Sequence, residues 1–143
     1  MGYYIRLFST SPLRSLLAVQ TKMLLAGYHI KPITQHHLDV CYADDHRPLT
    51  LDLSHPKHAI TRAEVERFIE RVCQQAASPA RRLVLGTLAR SQAVVAIGVA
   101  DDYDDGANTL SNIVSFVAYS AEGLFQIDGE GFYDGHELIL KVS

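Results

Sequence analysis

The chain has 143 residues, of which 48% are hydrophobic and 20% are charged, and its formal net charge is −3. A chain of this size buries one hydrophobic core, so we predict a single α+β domain spanning residues 1–143. The negative net charge excludes a typical nucleic-acid-binding protein, which carries a basic face. No apolar run approaches the roughly 20 residues that span a bilayer, so no membrane association is expected.

The first predicted elements are a strand and a helix. Residues 3–9 alternate aromatic, branched and polar side chains, which is typical of a β-strand. Ser11 and Pro12 are an N-cap and a first-turn proline for a helix over residues 13–26. Gly27 then predicts the end of that helix.

A hairpin and a second helix follow. Residues 38–42 and 48–53 alternate apolar with polar side chains, which predicts two antiparallel strands with one wet face. The sequence Thr-Arg-Ala-Glu from Thr61 to Glu64 matches a capping box, in which the two polar side chains satisfy free backbone amides. The apolar residues after it recur at helical spacing, so Thr61 is predicted to cap a helix that runs to about Ala76.

The remaining elements are two helices and three strands. A Ser-Pro pair at 78–79 predicts a third helix, and the continuous apolar run at 93–100 predicts an interior strand covered on both faces. Residues 109–120 fit a fourth helix, with a strand as the competing interpretation. Residues 124–128 and 137–142 are predicted to pair as strands across glycine-rich turns. The expected fold is a two-layer α+β domain, with a mostly antiparallel sheet and helices packed on one face.

Two cysteines bear on the compartment in which the protein works. Cys41 and Cys73 fit no CxxC redox or zinc spacing, and both fall at apolar positions of predicted elements. Each is therefore predicted to be a buried free thiol. Free thiols and the lack of a signal-peptide pattern favour a reducing, cytoplasmic location.

The acidic turn at residues 101–106 holds four aspartates and is the first candidate metal site. The EF-hand template requires Asp or Asn at its third position and Glu at its twelfth, where this chain has Tyr103 and Asn112. The template therefore fails. We predict a solvated turn without a divalent ion, stabilised by the N-terminus of the helix over residues 109–120.

Seven histidines suggest a metal or haem site. His36 and His37 are adjacent, so on a strand they face opposite ways and cannot share one ion. His55 and His58 flank two loop residues, a spacing that could let them converge but that matches no standard zinc motif. Most of the histidines are therefore predicted to be surface residues, and no metal ligand is assigned.

No catalytic residue is assigned either. The chain has no nucleophile elbow, no P-loop and no dinucleotide-binding glycine motif. Asp128, Glu130 and Asp134 could act as acid or base groups in a pocket. Their position beside two Asp-Gly turns makes exposed turn residues the favoured interpretation. An enzyme is therefore the least favoured function.

The carboxyl-terminal residues 123–132, Gly-Leu-Phe-Gln-Ile-Asp-Gly-Glu-Gly-Phe, carry a resemblance to a known family. With residues 4–9, 64–72 and 104–106, they resemble a small family of uncharacterised bacterial proteins of cyanobacterial type that end in this motif. This chain departs from the family in lacking tryptophan. The family has a haem-binding-like label, so the resemblance implies haem as a candidate cofactor but transfers no ligand residue.

Two functions follow as hypotheses. The first is a non-enzymatic small-ligand-binding protein, with haem as one candidate ligand. Its candidate axial ligands are His29, His36, His37 and His136. The second is a protein-protein interaction module that uses a sheet edge or the aromatic turn residues Tyr103, Phe132 and Tyr133. A homodimer is included among the expected protein partners.

Overall fold

The structure is a computed structural model that describes residues 2–104 and 108–142. In these ranges the chain forms four α-helices and one sheet of eight strands. Of the helices in these ranges, none is long and apolar enough to cross a membrane. The elements in chain order are β1 (Tyr3–Ser9), α1 (Leu17–Leu25), β2 (His29–Thr34), β3 (His37–Cys41), β4 (Leu49–Ser54), α2 (Ala59–Cys73), α3 (Pro79–Ala89), β5 (Ala93–Val99), α4 (Thr109–Ser120), β6 (Gly123–Ile127), β7 (Gly131–Asp134) and β8 (Glu137–Lys141).

The strand order across the sheet is β2-β3-β4-β5-β1-β6-β7-β8, and all neighbouring strands are antiparallel. The predicted α+β class and antiparallel sheet are confirmed. The predicted interior strand is also confirmed, because β5 lies between β4 and β1. Its unbroken apolar sequence places buried side chains on both faces of the sheet.

Helices cover both faces of the sheet, which corrects the prediction that they share one face. In β1, Leu7 lies in a core that includes side chains of α1 and α4. The next residue, Phe8, lies in a second core with side chains of α2 and α3. Successive strand residues point to opposite faces, so the domain has three layers. Both faces need a helical cover because β1 and β5 carry apolar side chains on both sides.

Three phenylalanines form the centre of the second core. The ring centroid of Phe8 is 5.4 Å from that of Phe68 and 6.1 Å from that of Phe132. Phe132 is 1% exposed, so its predicted role as an exposed interface aromatic is wrong. Its strand alternation directs the ring inward, although its short strand, β7, lies between two turns.

The Ser78 cap and the helical spacing of residues 109–120 predicted two helices well, and the Ser11-Pro12 start signal predicted one poorly. The Ser78 side chain accepts a hydrogen bond from the Arg81 amide at 3.0 Å, as its Ser-Pro sequence predicted. Helix α4 has its predicted bounds. Helix α1 starts at Leu17, one turn later than expected, and ends as predicted before Gly27, whose φ is +92°.

The predicted capping box at Thr61 is wrong. Helix α2 starts at Ala59, its N-cap residue is His58, and Thr61 is buried inside the first turn. The Arg62 guanidinium contacts the carbonyl oxygens of Pro56 and Lys57 at 3.2 and 3.0 Å. These contacts order the preceding loop, so the helix begins before the Thr-x-x-Glu motif. The helix also ends at Cys73 instead of near Ala76.

Two strands, β2 and β7, were not predicted from the sequence. β2 is an edge strand with mostly exposed residues, so it lacks the alternation of a half-buried strand. β7 has only four residues between two glycine-containing turns. Because β7 lies between β6 and β8, the predicted direct pairing of those two strands is also corrected.

Both cysteines are free, but the predicted burial of Cys73 is wrong. Cys73, the last residue of α2, is exposed, while Cys41 is half-buried. We expect a thiol reagent to label Cys73 several-fold faster than Cys41 under native conditions, because access limits reaction. Mass spectrometry of partially labelled protein, with Cys73→Ser as the control, measures the two rates. Equal rates for both thiols would contradict this assignment.

Candidate functional site

Three histidines from two separate loops come together in the structure. His36 lies in the β2–β3 turn, and His55 and His58 lie in the loop between β4 and α2. The ring centroids of His36 and His55 are 6.0 Å apart, and those of His55 and His58 are 6.4 Å apart. His55 and His58 thus converge, as their spacing allowed. The addition of His36 depends on strand pairing and has no local sequence signal.

Backbone contacts hold this histidine cluster in place. The Leu53 amide donates a hydrogen bond to the His36 carbonyl oxygen at 2.7 Å, which attaches the β2–β3 turn to β4. His36 Nε2 lies 3.0 Å from the carbonyl oxygen of Arg14. In the tautomer that satisfies this contact, Nε2 carries the proton and donates it. The cluster therefore connects the β1–α1 connection to the turn before β3 and to the loop after β4.

A cavity of about 310 Å³ lies beside the cluster. It is open to solvent and lies between the β1–α1 connection, the β4–α2 loop and the α3–β5 connection. Its polar and charged lining residues are Arg14, His55, Lys57, Ser91 and Gln92. The Gln92 side chain donates to the Thr10 carbonyl oxygen at 2.9 Å, which connects two of the three walls.

The electrostatic surroundings of His55 are cationic. Burial is the largest influence and lowers the pKa of His55 below its ordinary value of 6.5. Lys57, His58 and His36 lower the pKa of His55 further through charge repulsion. None of these groups is a carboxylate. Among residues 2–104 and 108–142, no carboxylate therefore stabilises a protonated His55, and an anion in the cavity would do so.

Metal binding by the cluster has no geometric support. Within residues 2–104 and 108–142, no three His, Cys, Asp or Glu side chains are arranged to hold a metal ion. The His55 imidazole, which lines the cavity, can instead donate a hydrogen bond to an anion there. Anion recognition is the chemistry that this arrangement can perform.

The other candidate haem ligands are poorly placed. His37 contacts the Asp52 carboxylate through Nδ1 and lies 3.3 Å from Asp39 through Nε2. The hydrogen bond to Asp52 is the largest influence on the pKa of His37 and raises it, against an opposing effect of burial. His29 and His136 are exposed. None of the three offers a free, buried ring nitrogen to a haem iron, so these residues do not fit the group.

A second polar cluster surrounds Arg6 on β1. Its Nη1 donates to Gln126 at 2.8 Å and to Asp128 at 2.7 Å, and its Nε lies 3.3 Å from Glu64. The guanidinium carbon is also 5.3 Å from the centre of the Phe68 ring. The Arg6 side chain is 13% exposed, so these contacts compensate a largely buried charge.

The three carboxylates near the Asp-Gly turns have separate surroundings. Burial raises the pKa of Asp128, but hydrogen bonds from Gln126, Arg6 and the Tyr4 amide outweigh it, and the pKa is lowered overall. Asp128 therefore stays ionised as a partner of Arg6. Glu130 accepts a hydrogen bond from the Tyr133 hydroxyl, and Asp134 is exposed. The three carboxylates therefore have structural or exposed positions and do not form an acid and base pair.

The first two aspartates of the acidic turn contact the β3–β4 loop. The Arg47 amide donates to Asp102 at 3.1 Å, and the Arg47 guanidinium contacts Asp101. Asp105 and Gly106 lie outside the described residues, so the predicted turn is described only through Asp104. The arginine partner is a source of charge compensation that the sequence analysis missed, because it lies 54 residues away.

Comparison with protein-family models, curated proteins and solved structures found no match to this chain. The family resemblance of the carboxyl-terminal motif therefore stays a prediction. The two polar clusters differ in how their charges are balanced. The Arg6 cluster is neutralised by its own carboxylates, whereas the histidine cluster is not.

Proposed function

We propose that the protein binds a small ligand carrying a phosphate or carboxylate group at the histidine-lined cavity, without catalysing a reaction on it. The observation that carries this proposal is a half-buried histidine, His55, that lines a cavity together with Lys57 and Arg14, with no carboxylate among the groups that shift its pKa. A cavity of about 310 Å³ is at the lower end of the range for small-molecule sites.

Three of the polar lining groups would contact the anion. Protonated His55 donates a charge-assisted hydrogen bond to the anion. Lys57 contributes a compact positive charge, and Arg14 contributes a planar guanidinium that suits carboxylate or phosphate oxygens. The Ser91 hydroxyl donates to the Leu88 carbonyl oxygen at 2.8 Å, which supports a structural role for it instead of a nucleophilic one.

Binding should strengthen as the pH falls. The pKa of His55 is below 6.5 in the free protein, and a bound anion favours the imidazolium and raises this pKa. We expect acetate, which stays mainly ionised over this range, to bind about tenfold more tightly at pH 5.5 than at pH 8, and inorganic phosphate is compared with it at a single pH. Isothermal titration calorimetry measures both affinities, and the ratio of phosphate to acetate affinity distinguishes the ligand classes.

Variants locate the site. His55→Gln removes one charge-assisted hydrogen bond and should weaken binding at pH 5.5 about tenfold. The matched control is His136→Gln, because His136 is exposed in the turn before β8 and away from the cavity. Equal loss in both variants, or binding that is independent of pH, would contradict the proposed site.

Haem is a less well supported ligand than a small anion. Of its four candidate axial residues, only His36 lies in the histidine cluster, and its Nε2 is occupied by the Arg14 carbonyl oxygen. A haemin titration separates the two ligands. A Soret shift that is lost in His36→Ala would favour haem over the anion.

One observation supports the second function, an interaction module. β8 is an edge strand, and Leu138 on it is 42% exposed. The aromatic turn residues give less support, since Phe132 is buried and the Tyr133 hydroxyl contacts Glu130. Two free cysteines support the further proposal that the protein works in a reducing compartment such as the cytoplasm.

A further inference from the structure

A second cavity, of about 380 Å³, lies between α2 and the sheet and is partly open to solvent. Helix α2 lines it with Glu64, Arg67, Phe68 and Arg71. The sheet side includes Arg6 of β1 and residues at and after the end of β6. Volumes of this size are typical of small-molecule sites. The cavity therefore has room for a small ligand between the Arg6 cluster and two further arginines.

Arg67 and Arg71 lie one turn apart on α2. Both are exposed, and within residues 2–104 and 108–142 neither side chain makes an ion pair or a hydrogen bond. The Arg71 guanidinium carbon lies 5.7 Å from the centre of the Phe68 ring, which holds it beside the cavity. Like charges four residues apart on a helix repel each other. The pair therefore presents two positive charges to the cavity that no described carboxylate contacts.

Arg6 does not add to this free positive charge, because Glu64 and Asp128 already contact its guanidinium. These two carboxylates also repel a long polyanion such as a nucleic acid. Glu64 precedes Arg71 by two helical turns, which is roughly 10 Å along a helix. The cavity is therefore polarised, with carboxylates beside Arg6 and free guanidiniums toward the carboxyl end of α2.

A small phosphate monoester matches this distribution of charge. Its phosphate group carries nearly two negative charges at pH 8, and guanidinium groups bind phosphate oxygens through paired N–H donors. Two unpaired arginines therefore balance one phosphate group. The carboxylates of Glu64 and Asp128 accept hydrogen bonds, so they suit hydroxyl or ammonium groups on the organic part of the ester.

We infer that this cavity binds a small phosphate monoester, with the phosphate at Arg67 and Arg71 and the donor groups of its organic part at Glu64 and Asp128. The site is separate from the histidine-lined cavity, with which it shares no lining residue. It also differs in its pH dependence. Arginine keeps its charge at pH 8, whereas His55 is neutral there.

Isothermal titration calorimetry of the full chain at pH 8 tests the site with phosphoethanolamine, which carries both a phosphate and an ammonium group. We expect one site with a dissociation constant of about 0.1–1 mM. Ethyl phosphate lacks the ammonium group and should bind about tenfold more weakly. Succinate, a dicarboxylate with the same charge as the phosphate group, should also bind more weakly. Equal affinity for the two phosphate esters, or tighter binding of succinate, would overturn the assigned ligand class.

Variants assign the binding to the arginine pair. Arg67→Gln and Arg71→Gln should each weaken phosphoethanolamine binding about tenfold, and circular dichroism checks that both are folded. Arg90→Gln is the matched control, because it removes an exposed arginine at the end of α3 that does not line the cavity. His55→Gln should leave binding at pH 8 unchanged. Absence of binding at pH 8, equal loss in Arg90→Gln, or loss in His55→Gln overturns the inference.

Discussion

Replacing Phe8 with alanine is expected to lower the free energy of unfolding by about 3–5 kcal/mol. Phe8 is 0% exposed and lies on β1, between the two strands with which β1 pairs. Its ring contacts the rings of Phe68 from α2 and Phe132 from β7. Truncation removes apolar contacts in a layer that joins a helix to two strands, and the packed surroundings cannot collapse into the space.

Urea denaturation followed by circular dichroism measures this loss. The control is Tyr119→Ala, because Tyr119 is 82% exposed and its removal should cost less than about 1 kcal/mol. If both variants lose the same stability, the second core is not where the structure places it.

Gly131→Ala is expected to destabilise the protein by about 3 kcal/mol. Gly131 has φ of +143°, a conformation that side chains rarely adopt. A Cβ atom there would lie 2.1 Å from the backbone oxygen of Leu140. Because the clash is with the backbone of β8, relief requires the β7–β8 pair to separate.

Gly129→Ala separates the two causes of this loss. Gly129 also has a positive φ, +81°, but a Cβ atom there would meet nothing within 4 Å. Only the conformational strain remains, and we expect a loss of about 1 kcal/mol. Thermal melts of both variants test the difference. A Gly131→Ala variant no less stable than Gly129→Ala would show that β8 does not approach this glycine closely.

The sequence was informative where a short segment carried its own signal. The Ser78 cap, the apolar run of β5 and the helical spacing of α4 all depend on residues close together in the chain, and all three elements were predicted. The predicted two-layer arrangement was wrong for a different reason. Which face a helix covers depends on strand pairing, and β1 pairs with β5 and β6 far along the chain.

The candidate site shows the same limit. The spacing of His55 and His58 let the sequence suggest that these two residues meet. No sequence pattern indicated that His36 joins them, because that contact requires β3 and β4 to pair first. The capping box at Thr61 failed because the Arg62 side chain binds the loop carbonyl oxygens before it. Contacts of this kind are set by the folded chain and have no pattern at short range.

The central position of β1 has a consequence for synthesis. The Arg6 side chain reaches Gln126 across a sequence separation of 120 residues, and β1 gains its second neighbour only when β6 is made. During translation the first strand emerges long before either partner, with Leu7 and Phe8 uncovered. The β1–β6 pairing must therefore wait until residue 127 has been made, and such long-range pairing slows folding.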